Sequence, residues 1–167
     1  MKSVIETLQD LKYGKFIDSD NFTSLPENEI INQLGITIPH EYRDFLKSYP
    51  NTGYFFTDES VVCHGISSYA GAPDSVYLIS SLFAQCSDSS VDLVAFRHSQ
   101  DDTSEFIPLV FLVIGDGDGG NYICMDLRPE TIGQIYFWAH DHQADESGMH
   151  LLANSFNDFI ARLAIQQ

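Results

Sequence analysis

The sequence predicts an α+β domain: a single, mostly antiparallel sheet flanked by N-terminal helices and one C-terminal helix. Three observations lead there. The first fifty residues place apolar side chains at helical spacing. From Tyr54 the pattern changes to short runs rich in β-branched and aromatic residues, separated by turn signals. The chain closes on Phe156, Phe159, Ile160 and Leu163, again a helical stripe. Its 167 residues, 44% hydrophobic and 13% aromatic, suit one domain over 1–167 that fills its core without disulfides or metals.

Val4, Leu8 and Leu11 define a short amphipathic helix over 3–13. Ser24 with Glu27 three residues on is a capping-box pattern, opening a helix to Leu34 that Gly35 stops. After Ile38-Pro39, Tyr42, Phe45, Leu46 and Tyr49 form one apolar stripe, ended by Pro50 and Gly53. Short strands are predicted at 54–57, 60–63, 75–79 and 93–96. Stronger ones follow at Ile107–Ile114, Tyr122–Leu127 and Gln134–Ala139. The short links 115–120 and 128–133 make these three a consecutive antiparallel set. Ser155 and Asp158 cap the last helix.

Charge narrows the function classes. Lys and Arg number 8 against 24 Asp and Glu, a formal net charge of −16. Nucleic acid and anionic membranes gain affinity from basic residues, so neither is an expected partner; a basic protein surface is. Residues 1–50 hold −3 of that charge and residues 51–167 hold −13, with only Arg97, Arg128 and Arg162 as bases. Cys63, Cys86 and Cys124 stand at no metal spacing and fit a reducing compartment. The N-terminus lacks the apolar stretch of a secretion signal. The longest apolar run, Phe106 to Ile114, is nine residues, far from the ~20 of a membrane helix. A soluble, cytoplasmic protein is expected.

Motifs with chemistry are sparse. Gly115-Asp116-Gly117-Asp118-Gly119-Gly120 matches G-x-G-x-x-G, but strand residues follow it where a dinucleotide site needs a helix, and two aspartates would repel phosphate. Read as an EF-hand, the same loop fails at Gly120, Asn121 and Leu127. A tight glycine turn with solvated acids is the expected outcome. His140-Asp141-His142 at a strand end would place both imidazoles on one face, a zinc-capable geometry, with His150 or Asp145 as a conceivable third ligand. Polar residues closing a strand explain the same string. Gly65-Ile66-Ser67-Ser68-Tyr69 lacks the second glycine of a nucleophile elbow. Cys63 and His64 are adjacent, so a strand turns them to opposite faces. No cofactor and no catalytic set is expected.

Four blocks carry a family resemblance. Leu34-Gly35-Ile36-Thr37-Ile38-Pro39-His40-Glu41-Tyr42-Arg43-Asp44-Phe45-Leu46 is similar to the "LG-x-x-LP-x-x-Y-x-x-FL" stretch of the SUKH (Smi/Knr-like) superfamily. Ile114 to Asp126 resembles its "IG-x-x-x-x-GD-x-Y-x-LD" block, Gly133 to Asp141 its "G-x-V-Y-x-W-x-HD", and Ala153 to Ile160 its "A-x-SF-x-x-FL". Asn51-Thr52-Gly53 stands for Asn-Gly-Gly, Asn121 for Asp and Met125 for Leu, changes to turns more than to core. Residues 57–105 carry no matching block.

The resemblance implies an α+β fold and a non-enzymatic immunity protein that binds and neutralises a cognate polymorphic or contact-dependent toxin, often a nuclease. It offers no catalytic residues, and contact residues vary between members, so none is carried over. With the charge distribution, it nominates loop acids for a basic toxin surface: Asp58, Glu59, Asp101, Asp102, Glu105, Asp116 and Asp118. Two alternatives remain: a regulatory or scaffold module binding a housekeeping protein, as yeast relatives suggest, and a metal-dependent hydrolase on His140 and His142.

Overall fold

A computed structural model describes residues 2–15, 23–100, 107–142 and 148–166. Among the described residues ten strands run in chain order: β1 (Tyr13–Lys15), β2 (Gly53–Phe55), β3 (Val61–His64), β4 (Val76–Leu78), β5 (Ser81–Leu82), β6 (Phe111–Asp116), β7 (Tyr122–Asp126), β8 (Ile135–Trp138), β9 (Met149–Ala153) and β10 (Leu163–Ile165). Seven form one sheet, ordered β1-β2-β5-β6-β7-β8-β9, and β10-β3-β4 form a second. Each neighbouring pair of these strands is antiparallel. The α+β class expected from the sequence is therefore observed, with a small second sheet beyond the one foreseen.

Five α-helices accompany them among the described residues: α1 (Val4–Asp10), α2 (Glu27–Leu34), α3 (His40–Ser48), α4 (Leu93–Ser99) and α5 (Phe156–Ala161). α1 opens on a capping box, the Glu6 N–H donating to Ser3 Oγ at 3.2 Å and the Ser3 N–H to the Glu6 carboxylate at 2.7 Å. α2 starts later than its sequence pattern suggests. Ser24 caps nothing there; Pro26 is the N-cap, without a side-chain bond. The preceding Leu25 is claimed by a tertiary contact, its N–H and C=O both bonded to the Gln85 amide at 2.6 and 2.8 Å. Gly35 ends α2 as foreseen, at φ +65° in the left-handed region that glycine adopts without strain.

α3 buries Tyr42, Phe45 and Leu46, the predicted stripe. Tyr42 and Phe45 meet Phe156 of α5 with ring centroids 5.1 Å apart in each case, and the Tyr42 hydroxyl donates to the Phe83 carbonyl at 2.9 Å. Each fully buried large apolar side chain is worth about 1.5–3 kcal/mol, so this aromatic layer is a principal tie between helices and sheet.

The predicted strand at 93–96 is instead α4. Only Val94 and Phe96 favour strand, while Leu93 and Ala95 are good helix formers, and Asp92 decides the outcome: one carboxylate oxygen accepts the Ala95 N–H at 2.8 Å as an N-cap, the other the Cys86 N–H at 2.8 Å. Leu93 and Phe96 then bury together at helical spacing. The last helix is capped by Ser155 as expected, yet Leu163 lies beyond it in β10, buried in the same core.

The β6–β7–β8 set forms as predicted. Its far turn, 127–134, is fastened by one carboxylate. Asp126 is fully buried and accepts from the Arg128 N–H and Nε, from Arg128 Nη2 at 2.7 Å and from Thr131 Oγ1 at 2.7 Å. The Arg128 guanidinium also lies 5.1 Å from the Phe111 ring centroid. Burial alone would raise this carboxyl's pKa; the Arg128 and Thr131 bonds outweigh it and hold it below the usual range. No helix among the described residues is long and apolar enough to cross a membrane.

Candidate functional site

At the opposite end of the β6–β7 hairpin, three connections converge on a groove between the two sheets. The β2–β3 link brings Thr57, Glu59 and Ser60; the β4–β5 link brings Ile79 and Ser80; the β6–β7 turn brings Asp118. Phe55, Val61, Leu78 and Ile79 supply the apolar lining of a groove of about 310 Å³.

Each connection is tied down by backbone bonds. Phe56 N–H reaches the Lys12 carbonyl at 3.1 Å, and Ser60 C=O accepts the Gln166 N–H at 2.9 Å. Thr57 Oγ1 donates to the Glu59 carbonyl, folding that link back on itself. Ser80 N–H donates to the Asp116 carbonyl at 2.9 Å. The β6–β7 turn presses against β4 at Gly117, where a Cβ would stand 2.7 Å from the Leu78 carbonyl oxygen and 2.9 Å from the Phe137 ring. Only glycine lets the turn approach that closely. Asn121 completes the turn, its amide donating to the Asp118 carbonyl at 2.7 Å and its carbonyl accepting the Gly117 N–H at 2.9 Å.

Glu59 and Asp118, 59 positions apart in sequence, thus line one groove, and both are exposed. Asp116 sits beside them, half-buried, and accepts from the Ser81 hydroxyl across the β5–β6 pair. Burial pushes its carboxyl above the ordinary value, against the lowering effect of the Ser81 bond. Asp58 is exposed next to Glu59 without lining the groove. Asp101, Asp102 and Glu105 lie outside the described residues. Sequence reasoning missed the hydroxyls of Thr57, Ser60 and Ser80; these are unremarkable in any single loop and gain meaning only where loops meet.

The later chain's arginines are engaged away from the groove. Arg97 donates to the Leu109 and Phe111 carbonyls at 2.9 and 3.2 Å. Arg128 binds Asp126, and Arg162 binds Asp158 at 2.9 Å and the His64 carbonyl at 3.2 Å. Among the described residues no ion pair involves Asp58, Glu59, Asp116 or Asp118.

The remaining candidates resolve differently. His140–His142 is a 3-10 turn, because β8 ends at Trp138. The backbone there is no longer strand, so the alternation expected of that segment does not apply. His140 instead bonds Asn121 Oδ1 through both its backbone N–H and Nδ1, at 3.0 Å each. His150 stacks on Tyr69 with centroids 4.1 Å apart, and Asp145 lies outside the described residues. No group of three metal-ligating side chains occurs among the described residues. The glycine turn continues into β7, not into a helix, as the rejected nucleotide reading requires. Cys63 is buried and His64 exposed on opposite faces of β3, and burial pushes the Cys63 thiol up to about 12; all three cysteines are free and buried.

Comparison with known proteins bears on all of this. The model of the SMI1 / KNR4 family (SUKH-1) matches residues 28–162, a span from α2 through α5 that includes the whole groove. The chain is also 29% identical over 161 residues to an SPbeta prophage-derived uncharacterized protein, YokK, of Bacillus subtilis (strain 168), covering 88% of this chain and 79% of that one.

Proposed function

The chain belongs to the SMI1 / KNR4 family, SUKH-1, and from that premise we propose that it is a cytoplasmic immunity protein, which binds a cognate toxin and neutralises it by occlusion without acting as an enzyme. The observation that carries the toxin's chemistry is the groove: Glu59 and Asp118 line it, Asp116 stands beside it, and no ion pair among the described residues engages them. An acidic face on a chain of net charge −16 suits a basic toxin surface. A nuclease presents one, because its cleft binds phosphates, and opposite fields speed encounter and set register. The contact includes Asp58 at the rim and extends to Asp101, Asp102 and Glu105 in the polar stretch after α4.

The test starts from the neighbouring reading frame: a toxin domain found there is the partner to express. Co-expression with the immunity protein should rescue growth, and calorimetry should give a complex whose affinity falls with added salt. Reversing Glu59 and Asp118 together, E59K with D118K, should weaken binding at least about tenfold, flatten its salt dependence and abolish rescue. Unchanged binding and rescue by the double variant would remove the groove from the interface. Failure of the wild-type chain to bind or protect, with a housekeeping protein co-purifying instead, would overturn the immunity reading in favour of a regulatory module.

A further inference from the structure

α1 and α3 enclose a second depression, of about 240 Å³, that has no part in the groove between the sheets. Val4 and Ile5 of α1, with Phe45 of α3 and the adjoining Tyr49, give it apolar walls, and Glu41 and Asp44 give it carboxylates.

Two features set these walls apart from ordinary helix surface. Ile5 is 45% exposed, although α1 already commits Leu8 to the core. α3 also sorts its charges. At 100° per residue, Glu41 and Asp44 fall about 60° apart; Lys47 stands about 60° and Arg43 about 100° from Asp44 on its other side, and neither of these two bases lines the depression. Glu41 has one structural duty, accepting the Asn157 N–H at 3.1 Å. Asp44 is exposed, and among the described residues no ion pair engages it.

The volume equals that of about eight waters at ~30 Å³ each, enough for one long side chain and too little for a helix. An apolar wall beside carboxylates is what a side chain with an aliphatic stem and a cationic head requires. A second copy of this chain is a poor occupant, since it would bring −16 against −16.

We propose that this depression anchors an arginine or lysine, flanked by apolar residues, on a basic partner protein. The stem lies along Val4, Ile5 and Phe45, and the head meets Asp44 and the outer oxygen of Glu41. This is a second contact face, and it stands whether or not the partner is a toxin.

The probe is acetyl-Leu-Arg-Leu-amide, titrated into the full, isotopically labelled chain and followed by two-dimensional NMR. Amide shifts should concentrate in the first turn of α1 and along α3 and saturate in the millimolar range expected of one anchored side chain. Asp44→Asn and Ile5→Ser should each weaken the apparent affinity about threefold, at unchanged melting temperature. The same peptide with glutamine for arginine should leave those resonances in place. The proposal is overturned if ~10 mM peptide moves nothing on α1 and α3, if the shifts map to the groove between the sheets, or if Asp44→Asn leaves binding intact. It is likewise overturned, in favour of self-association, if those resonances move with protein concentration alone.

Discussion

The β6–β7 hairpin carries aspartates at both ends, and the two ends use them oppositely. At the far end Asp126 is fully buried, bonded by Arg128 and Thr131, and its carboxyl is held below the usual range. At the turn end Asp116 is half-buried, its carboxyl raised, and Asp118 stands exposed with no ion pair among the described residues. The first end spends its charge on holding a turn; the second leaves charge facing outward. The difference shows that one family-like block, Ile114 to Asp126, carries both kinds of acid: its last residue fixes architecture, whereas the acids available to a partner sit in its turn.

The largest effect should fall on the buried end. Asp126→Ala leaves the Arg128 guanidinium without its carboxylate and empties the acceptor for the 127–134 turn. Breaking a buried pair costs about 3–5 kcal/mol; with Arg128 one-third exposed, the lower figure applies. At ~2–4 °C per kcal/mol for a chain of this size, the melting temperature should drop by about 6–12 °C. Asp118→Ala and Glu59→Ala should move stability by no more than about 0.5 kcal/mol. Urea titration measures both. Equal losses at the two ends would break the comparison.

Gly117→Ala should come next, at about 1–3 kcal/mol. It tests whether the exposed end is pre-set by sterics. The new methyl meets the Leu78 carbonyl, a backbone atom that cannot swing aside. The turn must lift from β4, and Asp118 moves with it, so partner binding should weaken together with stability. A variant as stable as wild type would mean that the turn tolerates repositioning and is not rigidly presented.

How far these ends were legible in sequence follows from their assembly. The core of α3, the Gly35 stop and the β6–β8 set were legible because each is written in contiguous residues: one apolar stripe, one glycine, three long apolar runs. α4 was misread as strand because Val94 and Phe96 favour β structure and four residues show no helical period, while Leu93 and Ala95 suit a helix that the Asp92 cap fixes through two side-chain bonds. β1, β5 and β10 were missed because two or three residues carry no period, and β9 because Met149-His150-Leu151-Leu152-Ala153 holds no β-branched residue and does not alternate. The acids Glu59, Asp116 and Asp118 were nominated singly, but their meeting was not legible, since it depends on the β2–β3, β4–β5 and β6–β7 connections closing over one another. The imidazole pair failed at a boundary: β8 stops at Trp138, and alternation stops with it.

The smallest effect separates the ends most sharply, because it has opposite signs. An unfolded aspartate titrates near 3.9. The Asp126 carboxyl lies below that when folded, so the unfolded chain binds more protons. Its stabilisation is complete above about pH 4 and is lost as pH falls through the folded value. The Asp116 carboxyl lies above the unfolded value when folded, so the folded chain binds more protons, and ionising it costs stability as pH rises through the folded value. Asp116→Asn keeps an acceptor for the Ser81 hydroxyl and removes that cost. The variant should therefore be about 0.5 kcal/mol more stable than wild type at pH 7, with the gap closing as pH drops towards about 4. Paired urea melts from pH 4 to 8 measure it. A constant difference across that range would mean that the half-buried carboxylate is as well solvated as Asp118, and that the turn end carries no electrostatic strain.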